Sequence, residues 1–313
     1  MKVIRQKFND WFNFCLTVGI SLPRLKVLHV TLMASGQVPP GTVAAKDTFA
    51  SAVDSPDQAS TFSEERRVRL SLQLYTVRRE LEADFPGTLK ALAAVGFQQV
   101  EPYNFHENPQ ELAAALDENG LSAPSGHAPL LRSDQDTIFA AAKMLGIGTV
   151  IDPHVPEDRW KTEEDIAATA SALNDAAAKG AGYGVKVGYH NHWWELETLP
   201  DGRTGLEVLA AHLDPEVVLE VDTYWAAVGG QDAAALLARL GDRVRFIHIK
   251  DGPVTPDPAA QLPVGDGVMP VWDVIAAAAA LETGVVELDD YAGNMMDAVQ
   301  ASFNYLTAGR PAA

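Results

Sequence analysis

The sequence predicts an α/β protein in which eight strand–helix units close into a (β/α)8, or TIM, barrel, preceded by an extension outside the barrel. From residue 69 onward, short apolar runs alternate with Ala- and Leu-rich stretches of helical period. Eight such units in about 245 residues match the usual size of this barrel. In addition, nearly every apolar run ends in a polar residue, as expected where the strands of a barrel meet a site.

Each predicted strand is a short apolar run of the length expected for a buried strand. In order they are RLSLQLY (69–75), FQQVEPY (97–103), LSAPSGH (121–127), GTVIDPH (148–154), VKVGYHNH (185–192), EVVLEVD (216–222), RVRFIHIK (243–250) and GVVELDD (284–290). A helix is predicted after each strand, at 85–95, 109–119, 134–145, 163–180, 203–213, 231–240, 270–281 and 293–307. In the first of these, Leu89, Leu92 and Val95 recur at the spacing of an amphipathic helix that covers a sheet.

An open, doubly wound sheet is the competing architecture, because it uses the same strand–helix units. Dinucleotide-binding sheets of this type carry a glycine-rich phosphate-binding turn after the first strand. Here that position reads LYTVRREL, which contains no glycine. The barrel is therefore the favoured architecture.

The predicted barrel spans residues 67–313, and residues 1–66 differ from it in composition. Residues 1–46 contain six basic residues and one acidic residue, whereas the rest of the chain contains 18 basic and 41 acidic residues. Residues 35–66 are rich in small and turn-forming residues without any period, which is typical of a flexible linker. We expect residues 1–66 to form an extension without catalytic chemistry.

An apolar stretch from Phe14 to Leu22 leaves a secretory signal peptide open as an alternative. Pro23, Arg24 and Lys26 interrupt that stretch, which favours a cytoplasmic protein.

Composition excludes several classes of protein. Of the 313 residues 47% are hydrophobic, which is enough to bury a large core. The net charge of -18 argues against nucleic acid as a partner, because such binding depends on basic residues that neutralise phosphates. The single cysteine, Cys15, excludes an internal disulfide framework. A membrane-spanning helix is not expected, because there is no uninterrupted apolar run of about 18 residues.

Polar residues at the carboxyl ends of the strands are the predicted functional residues, because the active site of a barrel lies there. They are Tyr75, Glu101, His127, Asp152, His154, His190, His192, Asp222, His248, Lys250 and Glu287. Five of the eight histidines of the chain are among them. Because residues two apart on a strand share a face, His190 and His192 point the same way. Trp194 and Trp225 follow strand ends, where they would stack on a sugar or pack at the rim.

The last four strands supply two imidazoles and two carboxylates, which suit a divalent metal ion. These residues are His190, Asp222, His248 and Glu287. Singly, Glu287 would pair with Lys250, and Asp222 would cap the following segment. Four such residues on consecutive strands favour the metal site.

Seven segments resemble the xylose isomerase-like TIM barrels of the sugar phosphate isomerase/epimerase family. They are LSLQLYTVRREL, GFQQVEPY, GYHNHWWE, LEVDTYWAAVGG, FIHIKDG, VGDGVMPVWDVI and VVELDD. The resemblance implies a small carbohydrate substrate and one catalytic divalent ion, Mn2+ first and otherwise Co2+, Mg2+, Fe2+ or Zn2+. Carried over by position, the ligands it implies are His190, Asp222, His248 and Glu287. One departure is that ketose epimerases of the family carry a glutamate where this sequence has His190, although His192 is an alternative ligand.

We therefore expect a metal-dependent isomerase or epimerase that acts on a sugar or keto-sugar through a metal-stabilised enediolate. Glu287 would remove the proton, Lys250 and His192 would stabilise the oxyanion, and Glu195 is a spare carboxylate for a second acid/base. The expected substrate-binding residues are Tyr75, Glu101, His127, His154, Trp194 and Trp225.

Three other functions stay open. A metal-bound His190 is a poor proton acceptor, which makes a dehydratase or lyase acting on a keto-sugar or keto-inositol the close alternative. A sugar-binding barrel without catalysis is a second alternative. A barrel endonuclease is a third, and the acidic composition opposes it. The sequence also leaves a homo-oligomer open.

Overall fold

The computed structural model describes residues 68–311, so the predicted extension at 1–66 lies outside the described part of the chain. The strands are β1 Leu70–Gln73, β2 Gln99–Glu101, β3 Ser125–His127, β4 Thr149–Asp152, β5 Lys186–His190, β6 Val218–Asp222, β7 Val244–Ile249 and β8 Thr283–Val286. All pair in parallel, in the order β2-β1-β8-β7-β6-β5-β4-β3. Between β2 and β3, Val100 N donates to Ser122 O at 2.9 Å and His127 N to Pro102 O at 2.8 Å. The strands thus form a nearly closed barrel, which confirms the predicted fold class.

In the described range each strand is followed by at least one α-helix, as a (β/α)8 barrel requires. These helices are α1 Arg78–Ala83, α2 Phe85–Val95, α3 Pro109–Asn119, α4 Gln135–Leu145, α5 Glu163–Ala181, α6 Gly205–His212, α7 Thr223–Val228, α8 Ala233–Leu240, α9 Val271–Ala277 and α10 Met295–Ala308. Eight of these correspond to predicted helices, whereas α1 and α7 are short additions that the sequence did not predict. Within residues 68–311, none of these helices combines the length and the apolar character that crossing a membrane requires.

A small apolar cluster inside the barrel lies below the polar residues at the carboxyl ends of the strands. Its members are Ile151, Val218 and Phe246, all buried. Gly188 on β5 makes room for them, because a Cβ at that position would lie 3.1 Å from Ile151 and 3.2 Å from Val218. Residues two positions further along each strand share the inward face, so the polar site lies directly above this cluster.

A β-bulge aligns the two strands that carry the central polar residues. The register between β6 and β7 shifts after Leu219, which pairs with Val244, and beyond the shift Asp222 pairs with His248. Arg245 is the extra residue. Bulges of this kind re-aim side chains near functional sites. Here the shift places Asp222 and His248 side by side.

Candidate metal centre

Asp222 stands at the end of β6 and begins helix α7. Its Oδ1 accepts a hydrogen bond from the backbone N–H of Trp225 at 2.8 Å, which caps the helix. The other oxygen, Oδ2, takes no part in the cap and lies 2.8 Å from the ammonium of Lys250. The cap and the ligand role are therefore compatible, since the cap uses only one of the two oxygens.

The four predicted ligands come together at the carboxyl ends of β5 to β8 as a group that we call the outer tetrad. It consists of His190, Asp222, His248 and Glu287, all buried, with one ligand atom of each within 4.8 Å of the others. His248 Nδ1 lies 2.6 Å from Glu287 Oε2 and 3.9 Å from Asp222 Oδ2. His190 Nε2 lies 3.9 Å from the same Asp222 oxygen. Two imidazoles and two carboxylates fit a divalent ion.

The charge states favoured in the outer tetrad differ among its members. Burial lowers the pKa of His248, but the neighbouring carboxylates Glu220 and Glu287 outweigh it and raise that pKa well above its ordinary value. The pKa of His190 is held well below its ordinary value, first by burial and then by the neighbouring His248, so the ring is neutral and keeps a lone pair. Burial opposes ionisation of Glu287, but Lys250 and His248 outweigh it and hold the pKa of that carboxyl well below its usual range. Burial raises the pKa of Asp222, against the opposing effect of Lys250.

Lys250 lies beside the outer tetrad, as predicted from its strand end. Its ammonium is 2.8 Å from both Asp222 Oδ2 and Glu287 Oε2, and 2.6 Å from Asp289 Oδ2. Burial alone would lower the pKa of Lys250, but the three carboxylates raise it well above its ordinary value. Lys250 is therefore a permanent cation at the site. The ring of Trp225 completes its surroundings, with its centroid 5.4 Å from the ammonium.

Glu220 is a central residue that sequence analysis missed. Its Oε2 lies 2.6 Å from His127 Nε2, 3.0 Å from His248 Nε2 and 3.2 Å from His190 Nδ1. These four residues form a second buried group, which we call the inner tetrad. Strand alternation was the available signal, because a glutamate two residues before Asp222 shares its inward face.

Glu101 lies in the same inner layer, although it was predicted to bind substrate. Gln73 Nε2 donates to its Oε1 at 2.8 Å, and the Ser125 hydroxyl donates to its Oε2. Burial and the charge of Glu220 raise the pKa of Glu101. The pKa of Glu220 is well below its ordinary value, because His248 and His127 outweigh the effect of burial. Of these two carboxyls, Glu101 therefore binds a proton more readily than Glu220.

Three aromatic rings form a wall next to the outer tetrad. His192 stacks on Trp194 with centroids 4.4 Å apart and ring planes at 5°. His154 meets the two rings edge-on at 5.6 and 5.7 Å. Burial, followed by the neighbouring His192, lowers the pKa of His154 to about 4, so its ring is neutral at neutral pH. The His192 ring is 5.4 Å from that of His190, which connects the wall to the tetrad.

Glu195 and Tyr75 occupy more peripheral positions than their predicted roles suggest. Glu195 is fully buried; its Oε1 accepts a hydrogen bond from the Tyr189 hydroxyl at 2.7 Å, and its Oε2 accepts one from His192 N at 2.9 Å. Tyr75 is 37% exposed, with its ring against Tyr103 and 4.1 Å from the guanidinium carbon of Arg78. The contacts of Glu195 indicate that it orients the start of the aromatic wall.

Comparison with known proteins assigns the barrel to a family. The family model described as the xylose isomerase-like TIM barrel matches residues 89–307, which are 219 of the 313 residues. The chain belongs to this family. The resemblance seen in the sequence is therefore confirmed.

Relatives within the family are distant. The inosose dehydratase of Geobacillus kaustophilus is 26% identical over 189 residues, which cover 52% of this chain and 60% of the relative. This chain thus matches less than two thirds of that relative's length. A sugar phosphate isomerase/epimerase from Parabacteroides distasonis superposes with a TM-score of 0.68 at 23% identity, covering 82% of this chain and 99% of that one. The IOLI protein, solved with a bound zinc atom, has a TM-score of 0.60 at 15% identity, covering 77% and 96%. Such structural matches show a shared fold.

Proposed function

We propose that this protein is a divalent-metal-dependent dehydratase acting on a keto-inositol or a similar cyclic keto-polyol. One observation carries the proposal: of the carboxylates predicted as acid/base groups, Glu287 alone stands in the outer tetrad. Glu195 and Glu101 are fully buried and hydrogen-bonded to neighbouring groups. The site therefore suits a reaction with a single carboxylate base, and removal of water from a keto-polyol is such a reaction. The inosose dehydratase relatives support this choice.

Glu287 is the proposed base that removes a proton from the carbon next to the substrate carbonyl. Its low pKa keeps it ionised but makes it a weak base, so the carbon acid must be activated. A divalent ion held by the outer tetrad would supply that activation by polarising the carbonyl. The same four residues would be the ligands, with His190 in place of the glutamate of the ketose epimerases.

Lys250 and His192 have complementary proposed roles. Lys250 is a permanent cation beside Glu287, so it stabilises negative charge that develops on the carbonyl oxygen. His192, partly exposed at the rim, donates a proton to the departing β-hydroxyl. The electrons of the broken C–H bond form the new carbon–carbon double bond as the C–O bond breaks, and the hydroxyl leaves as water.

The composition of the aromatic wall favours an uncharged substrate. His154 is neutral, and Trp194 offers a large flat surface of the kind that stacks on sugar rings. Trp225 in helix α7 and Tyr75 in the turn after β1 are proposed to contact the substrate. His127 and Glu101 lie beneath the ligands, so their proposed contribution is to support the site.

Isomerisation of a keto-sugar is the second candidate function. It requires one base, which returns the proton to the adjacent carbon, and the position of Glu287 serves it equally. Epimerisation by two opposed carboxylates is disfavoured by the contacts of Glu195. We propose Mn2+ as the ion, with Zn2+ as the alternative that the zinc-containing IOLI protein suggests. A cytoplasmic location and a homo-oligomer stay predictions.

Incubation of the Mn2+-loaded protein with a keto-inositol in D2O tests the proposal. We expect a dehydrated product detected by its ultraviolet absorbance and mass, and deuterium exchange at the carbon next to the carbonyl. Glu287→Gln should retain metal while it slows exchange by about 10²–10⁴-fold. The control is Glu282→Gln, which removes a carboxylate paired with Arg245 away from the site. An isomer without loss of water would select the second candidate, and unchanged exchange in Glu287→Gln would remove Glu287 from the base role.

A further inference from the structure

The two histidines of the outer tetrad use their two ring nitrogens for different neighbours. His190 Nδ1 lies 3.2 Å from Glu220 Oε2, and its Nε2 lies 3.9 Å from Asp222 Oδ2. His248 Nε2 lies 3.0 Å from the same Glu220 oxygen, and its Nδ1 lies 2.6 Å from Glu287 Oε2. A single carboxylate oxygen thus lies within 3.2 Å of the inner nitrogen of both rings, and Glu101 Oε1 also lies 3.1 Å from His248 Nε2.

A neutral imidazole has one N–H group and one lone pair, so the partner of one nitrogen decides what the other nitrogen can do. A carboxylate accepts hydrogen bonds and therefore favours the tautomer whose N–H faces it. His248 Nδ1 also faces a carboxylate, Glu287, so the selection by Glu220 would apply to that ring when a divalent ion is bound by Nδ1 and Glu287. We propose that Glu220 is a positioning residue that holds the N–H groups on His190 Nδ1 and His248 Nε2. The lone pairs of His190 Nε2 and His248 Nδ1 are thereby directed at the divalent ion in the outer tetrad. This inference rests on the metal centre of the proposed function and deepens it.

The surroundings of Glu220 make this contact permanent. The side chain is fully buried on β6 above the apolar cluster that contains Phe246, so water cannot replace its partners. His127 Nε2 lies 2.6 Å from the same oxygen. Carboxylates that accept from the distal nitrogen of a ligating histidine fix the ring orientation and raise its basicity.

The inner tetrad competes with the outer tetrad for an ion, because it would need lone pairs on the opposite nitrogens of His190 and His248. The charge balance favours the outer tetrad. It contains two carboxylates to balance a divalent charge, whereas the inner tetrad contains only Glu220.

The tautomers of the wild-type protein provide the most direct test, because no substitution is needed. Protein labelled with 15N-histidine and loaded with Zn2+ is studied by long-range 1H–15N correlation. We expect His190 to carry its proton on Nδ1 and His248 to carry its proton on Nε2. The opposite assignment for either ring would overturn the proposal.

Metal affinity provides the second test, by titration of Mn2+ followed through the electron paramagnetic resonance signal of the free ion. Glu220→Gln should keep one site per chain and weaken binding by about 10–100-fold. The matched control is Asp251→Asn, which removes another buried carboxylate that accepts from the backbone N–H groups of Gly252, Gly265 and Met269. Its Mn2+ affinity should match that of wild type. Wild-type affinity in Glu220→Gln would overturn the proposal.

Two further outcomes separate this inference from the proposed reaction. Metal lost in His127→Gln but retained in Asp222→Ala would place the ion in the inner tetrad and overturn the positioning role. Expected tautomers and affinities without turnover of any keto-polyol would support the positioning role while the proposed reaction fails. A wild-type protein that binds no divalent ion would overturn both.

Discussion

Lys250 is a fully buried lysine held by three carboxylates, and its charge compensates the outer tetrad when no other cation is present. Lys250→Met keeps much of the volume and removes the charge. In a chelator we expect the free energy of unfolding to fall by about 3–5 kcal/mol, because the carboxylates lose their partner. Added Mn2+ should recover more stability in the variant than in wild type, since the ammonium no longer competes for Asp222 and Glu287.

Thermal unfolding with and without Mn2+ measures this effect. The control is Lys186→Met, which removes a half-exposed lysine at the start of β5. Equal losses of stability in chelator and in Mn2+ would contradict the role given to Lys250.

His154 makes stability depend on pH in a defined window. Its pKa is about 4 in the folded chain and 6.5 when unperturbed, so between these values the unfolded chain binds a proton that the folded chain does not. The contribution of the neutral His154 to the free energy of unfolding is complete above pH 6.5 and falls as the pH drops toward 4. His154→Asn should therefore flatten the dependence of the unfolding free energy on pH in this window.

Urea denaturation in chelator at a series of pH values measures that slope. His212→Asn, at an exposed histidine that ends α6, is the matched control. Parallel slopes for wild type and His154→Asn would show that His154 is protonated in the folded chain.

Single residues at strand ends were predictable, whereas residues inside strands were not. His190, Asp222, His248 and Glu287 stand where every barrel places its functional groups, so counting strands was enough to find them. Glu220 lies within the strand run EVVLEVD, where a charged residue reads as an interruption of the core. Its role follows only from the three imidazoles that other strands bring to it.

Strand β5 carries both Gly188, which packs inside the barrel, and His190, which belongs to the outer tetrad. A Cβ on Gly188 would lie 3.1–3.3 Å from Ile151, Val218 Cγ2 and Val218 O. Gly188→Ala should therefore lower the unfolding free energy by about 1–3 kcal/mol. It should also weaken Mn2+ binding, because β5 must shift and His190 lies two residues further along.

The control for Gly188→Ala is Gly148→Ala, where the nearest atom to a new Cβ is a carbonyl oxygen at 3.6 Å, an ordinary contact. Denaturation and Mn2+ titration of both variants test the coupling. Destabilisation of Gly188→Ala without any change in affinity would show that the apolar cluster inside the barrel does not position His190.

Helix prediction succeeded for the elements long enough to show a period. The six-residue helices α1 and α7 are shorter than two turns, so no amphipathic pattern can build up in them. Helix α7 exists because Asp222 caps it, and the sequence offered that cap as an alternative to the ligand role. Only the structure shows that the cap uses one oxygen of Asp222 and leaves the other for the proposed ligand role.

The barrel fold could be predicted from the regular repetition in the sequence, because eight strand–helix units of similar length can close into a barrel. The sequence could not show the bulge between β6 and β7, which depends on pairing across two chain segments. It also could not separate the outer from the inner tetrad, since both draw on His190 and His248. How deep a residue lies inside the barrel depends on how the strands are arranged in the assembled sheet.

The central claim is a single divalent ion held by the outer tetrad. Elemental analysis of protein purified without chelator, wild type beside Asp222→Ala, tests it most directly. We expect close to one divalent metal per chain in the wild type and its loss in Asp222→Ala, while circular dichroism shows the variant to be folded. No metal in the wild type under any loading condition, or equal metal in the two proteins, would contradict the claim.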